Sequence, residues 1–311
     1  MSVIMVVDDD LDTLELLRHQ LDHAGYTVVT ANSVERAQQA ARQVKPHVIV
    51  LDIMMAGQSG FDFCRALRKD PQLFYVGVLF CSGMRDPEEI QHAIAQGGDD
   101  YITKPISRQA LLDKVEALLR MVPTLAKRDA LTTFHGALAM RRMVTYQLLH
   151  KHQFALAYVS LQPVTRIEEQ LGHEVAARVL ELAANIIRAE AAGMPEDCYF
   201  FCHAGAGHFM LLIDLHYYAD YLERVCQRFD AAIKDAYPSD GGQWIRACSS
   251  TSDVKVHPSA LRLRITVTHT QCRNYHDVRE MFDALQNTAE IAEYSGSSQI
   301  FIDRQRATSV V

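Results

Sequence analysis

The sequence lacks any long apolar run: none approaches the roughly 20 residues that a helix needs to cross a bilayer. Its start has no basic segment and runs directly into three carboxylates at residues 8–10, so we expect neither a signal peptide nor membrane insertion. Tryptophan occurs once, and the seven cysteines are an odd number without a Cys-x-x-Cys pair. These features predict reduced, buried cysteines in a cytoplasmic protein, and they argue against a disulfide framework.

The sequence also lacks an excess of positive charge. Its 31 lysines and arginines are outnumbered by 38 acidic residues, which gives a formal net charge of −7. Because a nucleic-acid-binding domain typically carries a basic stripe, we expect no nucleic-acid partner. A chain of 311 residues is long enough for two domains of about 100–200 residues each.

The first 122 residues alternate short β-branched runs with amphipathic stretches. Their periodicity predicts strands at residues 3–7, 26–30, 47–51, 77–81 and 101–103, and helices at 12–24, 34–43, 61–69, 87–96 and 107–121. Five strands that alternate with five helices are typical of a doubly wound, flavodoxin-like parallel sheet in an α/β domain. We place the boundary near Pro123, which gives domains at residues 1–122 and 123–311.

The second part of the chain reads as an α+β domain that opens with a linker helix. The pattern predicts helices at residues 125–151, 164–192, 217–236 and 278–294, the first with Gly136 as a point for a kink, and strands at 154–161, 198–203, 208–214, 261–269 and 299–303. Two of these strands form a hairpin that turns at residues 205–207. A polar loop at residues 238–252 contains the only tryptophan, Trp244.

Polar residues follow four of the predicted N-terminal strands. Asp8 and Asp9 end the first strand, Asp52 the third, Ser82 the fourth and Lys104 the fifth. Since the carboxyl ends of the strands meet at one edge of such a sheet, we expect a single pocket. Three carboxylates in one pocket favour a hard cation such as Mg²⁺. Asp52 would then be a nucleophile toward a phosphoryl group, with Lys104 and Ser82 contacting phosphate oxygens.

The segments VVDDD, VLDIMM, FCSG and DDYITKP occur in this order and resemble the receiver domain of bacterial response regulators over residues 1–122. The resemblance implies phosphorylation of Asp52 by a sensor histidine kinase, followed by autodephosphorylation. It also implies that Asp9, Asp52 and the backbone carbonyl of Met54 hold Mg²⁺, with Asp8 assisting.

The same resemblance implies a switch pair. Ser82 is expected to move toward the phosphate while the ring of Tyr101 turns inward behind it. The peptide bond between Lys104 and Pro105 is expected to be cis. Ala56 stands where a proline is commonest in the family, which removes no required group.

The second domain carries four segments, RDALT, LGH, RVL and GAGHF, that resemble the GGDEF family over about residues 127–305. That family includes diguanylate cyclases, which condense two GTP molecules into cyclic di-GMP. Its acidic hairpin pair falls here on Gly207 and His208, and its metal-binding aspartate falls on Ser160. Its guanine-reading residues fall on Glu168 and Ala177. The positions for the triphosphate and for the inhibitory product also differ, at Glu293, Ser297, Glu196 and Tyr199.

Two-metal phosphoryl chemistry needs carboxylates, and none stands at these hairpin and strand positions. We therefore expect no cyclase activity and no enzyme function beyond the receiver's own phosphorylation chemistry. The leading interpretation is a response regulator that signals through a degenerate GGDEF-like domain, by dimerisation of two copies or by contact with a downstream protein. The main alternative is a non-catalytic receptor for GTP or cyclic di-GMP, and a third is a cyclase with a divergent site.

A zinc site is a weaker alternative for the second domain. Cys198, Cys202, His203 and His208 lie within eleven residues. On one strand the two cysteines share a face and His203 points to the other, and the spacing matches no standard zinc finger. Buried cysteines are the better interpretation.

Overall fold

A computed structural model describes residues 2–70, 72–84, 86–237, 260–291 and 297–303. The chain divides into two compact units, Met1–Lys127 and Arg128–Val311. The predicted polar loop with Trp244, and Glu293, lie outside the described residues. No helix in the described ranges is long and apolar enough to span a bilayer.

The first unit is a doubly wound α/β domain. Its elements are β1 Val3–Val7, α1 Leu11–Asp22, β2 Thr27–Ala31, α2 Val34–Val44, β3 Val48–Asp52, α3 Gly60–Lys69, β4 Gly77–Ser82, α4 Pro87–Ala95, β5 Asp100–Thr103 and α5 Arg108–Ala126. All neighbouring strands are parallel, in the order β2-β1-β3-β4-β5. The predicted five-stranded parallel sheet is confirmed.

Alternation along the strands builds a core on each face of this sheet. In β1, Met5 and Val7 join one cluster with α2 and α3, whereas Ile4 and Val6 join the other with α1 and α5. Every residue of β3 and β4 is buried, as expected for parallel strands covered by helices on both faces. Side-chain N-caps such as Ser107 begin the helices and thereby fix where each strand-to-helix connection ends.

The end of the first unit differs from the prediction. Helix α5 continues through Pro123 to Ala126, because Val122 and Leu125 are buried and their burial outweighs the missing proline N–H. The predicted single helix at residues 125–151 is wrong. The chain leaves the helix after Ala126, and a new helix, α6, covers Ala137–Leu149.

A local turn explains this break. The carboxylate of Asp129 accepts hydrogen bonds from the backbone N–H groups of Leu131 and Thr132, at 3.2 and 2.8 Å, and from the Thr132 hydroxyl at 2.9 Å. An aspartate that bonds its own downstream backbone competes with helix formation. The segment between α5 and α6 is therefore not helical.

The second unit has one mixed sheet. After α6 come β6 Phe154–Gln162, α7 Val164–Leu171, α8 His173–Glu190, a short 3₁₀ helix Glu196–Cys198, β7 Tyr199–Gly205, β8 His208–Asp214, α9 Tyr218–Ala236, β9 Arg262–His269, α10 Val278–Ile291 and β10 Gln299–Ile302. The strand order is β10-β9-β6-β8-β7, in which β10 and β9 are parallel and the other pairs antiparallel. The predicted helix at residues 164–192 is divided at Gly172, whose φ of 89° belongs to the left-handed region.

The two faces of the second sheet have different neighbours. The odd-numbered residues of β6, such as Val159 and Leu161, join the large core with α7, α8 and α9. Helices α6 and α10 lie against the strands of the other face, where α6 contacts β7 and β8 and α10 contacts β9. The even-numbered residues of β6, which include Tyr158 and Ser160, project to this second face.

A buried arginine of the first unit connects α3 to the segments that precede β4 and β5. Arg68 on α3 is 2% exposed. Its guanidinium donates to the carbonyl oxygens of Phe74, Val76 and Gly97 and to the carboxylate of Asp99, over 2.8–3.0 Å. Asp99 in turn accepts from the N–H of Val78 at 2.8 Å. The network therefore ties α3 to the start of β4 and to the connection before β5.

We predict that Arg68→Met lowers the free energy of unfolding by about 3–5 kcal/mol, because it leaves the Asp99 carboxylate, whose side chain is only 14% exposed, without its cation. Chemical denaturation of the full chain followed by circular dichroism measures the loss. Arg120→Met is the control, since that side chain on α5 is 73% exposed and should change stability by less than about 0.5 kcal/mol. Equal stability of the two variants would contradict a structural role for the network.

Candidate functional site

The carboxyl edge of the first sheet brings together the polar residues that follow its strands. Asp8 comes directly after β1, Asp52 ends β3, Ser82 ends β4, and Lys104 comes directly after β5. These four strands are neighbours in the sheet. One carboxylate oxygen from each of Asp8, Asp9 and Asp52 lies within 4.8 Å of the others.

One lysine is shared by two buried carboxylates of this pocket. The Nζ atom of Lys104 lies 2.7 Å from Oδ2 of Asp8 and 3.2 Å from Oδ1 of Asp52. Asp8 is 1% exposed and Asp52 5% exposed. A buried carboxylate is costly unless it is paired, so the lysine stabilises both. With Asp9 included, three carboxylates face one ammonium, and the pocket keeps an excess of negative charge.

This environment shifts the protonation of the pair. Burial is the largest influence and raises the pKa of Asp52, the Lys104 charge lowers it and the Asp8 charge raises it, with a net pKa of about 6. Burial by itself lowers the pKa of Lys104, but the hydrogen bond to Asp8 and the charge of Asp52 outweigh it, and the pKa is raised overall. Lys104 therefore stays cationic at neutral pH, while Asp52 is ionised there and takes up a proton in mild acid.

The loop after β3 closes one side of the pocket. Asp9 is exposed, and its Oδ2 accepts a hydrogen bond of 2.8 Å from the N–H of Ala56. Met54 lies in this loop with its side chain 67% exposed. The loop returns closely at Gly60, where a Cβ atom would lie 2.1 Å from the carbonyl oxygen of Asp52, so only glycine fits there.

The donor set suits a hard divalent cation. It consists of carboxylate oxygens, two of them from buried residues, and its net charge is negative at neutral pH. Mg²⁺ prefers such oxygen ligands and is commonly bound through one or two carboxylates. Within the described ranges, this is the one group of three or more acidic, histidine or cysteine side chains close enough to hold a metal. The cysteines and histidines of the β7–β8 hairpin form no such group.

Ser82 and Tyr101 both contact the backbone of Met84, a residue that the sequence does not single out. Ser82 is 1% exposed and accepts a long hydrogen bond of 3.4 Å from the N–H of Met84. The hydroxyl of Tyr101 donates to the carbonyl oxygen of the same Met84 at 2.9 Å, and its ring is buried. Both side chains therefore depend on one peptide segment. The contacts are with the backbone of Met84, so no residue type signals them.

Comparison with known proteins identifies the family of the N-terminal unit. The family model described as response regulator receiver domain matches residues 4–116. The N-terminal unit is a response regulator receiver domain. The alkaline phosphatase synthesis transcriptional regulatory protein PhoP of Bacillus subtilis is 35% identical over 117 residues, which cover 38% of this chain and 48% of PhoP. The DNA-binding dual master transcriptional regulator RpaA of Synechocystis is 33% identical over 132 residues, which cover 42% of this chain and 55% of RpaA.

Among solved structures, the chemotaxis protein CheY4 of Vibrio cholerae is 29% identical and covers 38% of this chain and 98% of its own, with a TM-score of 0.37. The chain spans about half the length of PhoP and RpaA. The family match itself lies within the receiver unit.

The loop after β5 contains the cis peptide bond that the resemblance implies. The peptide bond between Lys104 and Pro105 is cis. The Lys104 N–H donates to the Ser82 carbonyl oxygen at 2.8 Å, which joins the loops after β4 and β5.

The second-unit residues that the sequence resemblance singles out form no metal-binding group of carboxylates within the described residues. Ser160 is buried and lies opposite His208 in the β6–β8 pair. Gly207 has a φ of 81°, and a Cβ atom there would lie 2.4 Å from a methyl carbon of Val164. Glu168 is exposed on α7 and accepts from the Nδ1 atom of His173 at 2.9 Å. Ala177 is half-buried on α8.

The raised pKa of Asp52 predicts a pH-dependent effect of Asp52→Asn on the receiver. The folded state keeps this proton to higher pH than the unfolded state, so the stability that protonation contributes is present below about pH 4 and is lost as pH rises through about 6. The variant does not suffer this loss. Measured in EDTA, the stability of Asp52→Asn relative to wild type should therefore rise by about 2 kcal/mol between about pH 4.5 and pH 7.5.

Asp113→Asn removes an exposed carboxylate on α5 and is the matched control for this comparison. A difference between Asp52→Asn and wild type that stays constant over this pH range would contradict the assigned environment of Asp52.

Proposed function

We propose that this chain is a cytoplasmic response regulator that accepts a phosphoryl group on Asp52 from a sensor histidine kinase. The observation that carries the proposal is the buried Asp52 carboxylate beside the ammonium of Lys104, 3.2 Å away, within a cluster of acidic oxygens. A nucleophile, a fixed cation and a hydroxyl at one sheet edge are the groups that phosphoryl transfer uses.

In the proposed reaction, a carboxylate oxygen of Asp52 attacks the phosphorus, and the bond between phosphorus and the kinase's histidine nitrogen breaks. Lys104 offsets negative charge on the phosphoryl oxygens, and the Ser82 hydroxyl donates a hydrogen bond to one of them. Mg²⁺, held by Asp9, Asp52 and the Met54 carbonyl with Asp8 assisting, would neutralise further charge on these oxygens. Attack by water on the acyl phosphate later restores the free carboxylate.

The hydrogen bonds around Met84 supply a route for the signal. When Ser82 turns toward the phosphoryl group, it leaves the Met84 N–H, to which it is only weakly bonded at 3.4 Å. Tyr101 holds the carbonyl oxygen of the same residue. A shift of this segment therefore moves the buried ring of Tyr101 and alters the adjoining face of the receiver, which includes α5, and with it the contacts that a second copy or a partner protein makes.

The second unit is proposed to be a non-catalytic output domain that acts through a downstream protein or through a homodimer. In support, Ser160, Gly207 and His208 stand where the resemblance to the GGDEF family expects carboxylates. Two-metal chemistry needs such carboxylates, and a serine, a glycine and a histidine do not supply them.

Phosphorylation at Asp52 is tested with acetyl phosphate and Mg²⁺ on the full chain. Wild type and the surface control Asp113→Asn should form an acyl phosphate that hydroxylamine removes, visible as a band retarded on a phosphate-affinity gel. Asp52→Asn should form none, because an amide oxygen is a poor nucleophile. Undiminished labelling of Asp52→Asn would place the acceptor elsewhere.

Loss of cyclase chemistry is tested by incubating the full chain with GTP and Mg²⁺ or Mn²⁺, with and without beryllofluoride. We expect no cyclic di-GMP in any of these conditions, because the metal-binding carboxylates are missing. An active diguanylate cyclase in the same assay is the positive control. Product formation by this chain would make the second unit an enzyme with a divergent site.

A further inference from the structure

Two exposed histidines lie one helical turn apart at the end of α1. His19 belongs to the last turn of the helix, and His23 is its C-cap residue. Residues four positions apart are neighbours on the same side of a helix. Here the two imidazole rings are in contact, with ring centres 4.0 Å apart and an interplanar angle of 34°. The helix therefore presents two imidazoles side by side to solvent.

A backbone contact orients the ring of His23. Its Nδ1 atom lies 2.9 Å from the carbonyl oxygen of His19. Because a carbonyl oxygen only accepts hydrogen bonds, Nδ1 carries the hydrogen, and in the neutral ring the lone pair is then on Nε2. Histidines that bind metals almost always donate their second ring N–H in this way, which fixes the ring and makes the other nitrogen a stronger ligand. His23 is therefore prepared to bind a metal through Nε2.

The charge around the pair favours a cation. The C-terminal end of a helix carries partial negative charge from its last carbonyl groups. Glu15 is exposed one turn before His19, on the same side of α1, and adds a negative charge. Arg18 is the only arginine or lysine of α1, and its charge is offset by an ion pair with Asp22 at 3.4 Å. A positive ion beside the two rings therefore meets no uncompensated positive charge from this helix.

We propose that His19 and His23 together chelate a divalent transition-metal ion of the Ni²⁺, Cu²⁺ and Zn²⁺ class, with water in the remaining coordination positions. Imidazole nitrogens suit these ions. Two histidines at this spacing on one face of a helix are a recurrent zinc-binding pair. The helix holds the second ring beside the first, so the ion binds the second nitrogen at a high effective concentration.

This site is separate from the acidic pocket of the receiver. Asp8 and Asp9 precede α1, whereas the two histidines lie at its other end. At 1.5 Å per residue, His19 is about 12 Å further along the helix than its first residue. The ligands also differ, because the pocket offers carboxylate oxygens that suit Mg²⁺ and the pair offers nitrogens. The proposal does not depend on phosphorylation of Asp52.

The test is calorimetric titration of Ni²⁺ into the full chain, with excess Mg²⁺ present so that the acidic pocket is occupied. Wild type should show saturable binding at the pair. His19→Gln and His23→Gln should each weaken this binding about tenfold or more, because each removes one of two nitrogen ligands. Both substitutions change exposed side chains, so both variants should fold like wild type.

His276→Gln is the matched control. It removes one exposed imidazole from the second unit and leaves the pair intact. Its affinity for Ni²⁺ should stay within about twofold of wild type. Binding that is weakened in both pair variants and kept in His276→Gln supports the site. Absence of saturable binding by wild type, or equal binding by His19→Gln and His23→Gln, overturns it.

Mn²⁺, titrated without Mg²⁺, checks the type of ligand. This ion prefers oxygen ligands, so it should bind at the acidic pocket with the same affinity in wild type and in His19→Gln. Equal binding of Mn²⁺ together with weakened binding of Ni²⁺ supports nitrogen ligands at the pair. If His19→Gln weakened the binding of both ions equally, the substitution would have damaged the receiver as a whole, and the assignment would be overturned.

Discussion

The ammonium of Lys104 between the buried carboxylates of Asp8 and Asp52 is the interaction on which the receiver site depends. Burying two carboxylates at such low exposure is costly unless a cation pairs with them. The arrangement requires the ends of β1, β3 and β5 to meet, and a doubly wound parallel sheet provides this. The charge balance of the pocket therefore depends on the sheet topology, which brings the lysine to both carboxylates. The excess negative charge that remains suits a divalent cation.

Two further contacts connect this pocket to the rest of the unit. The Met84 segment is held on one side by Ser82 and on the other by Tyr101, so the end of β4 and a side chain of β5 contact the same backbone segment. The Arg68 network fixes the connection before β5 through backbone oxygens and Asp99. The hydrogen bond between Ser82 and Met84 is weak and can change, whereas the Arg68 network is buried and consists of several hydrogen bonds.

The sequence predicts much of this receiver because its strands are buried on both faces and its polar residues stand at strand ends. The sequence does not predict hydrogen bonds whose partner is distant in the chain or is a backbone atom. The residues near Arg68 do not predict its hydrogen bond with Gly97, which lies 29 positions away. No residue type predicts the contact with the Met84 carbonyl, because any residue has a backbone carbonyl. Burial of Val122 overrides the helix-breaking tendency of Pro123, and the turn at Asp129 interrupts a favourable helical pattern.

The central claim concerns the cluster of carboxylates around Lys104 in the first unit. A crystal structure of the full chain with Mg²⁺ and beryllofluoride tests it most directly. The account predicts beryllium bonded to a carboxylate oxygen of Asp52, with fluorine atoms in hydrogen-bond contact with Lys104 and Ser82, and Ser82 turned away from Met84. Beryllofluoride bound elsewhere, or at Asp52 without contact to Lys104, would contradict it.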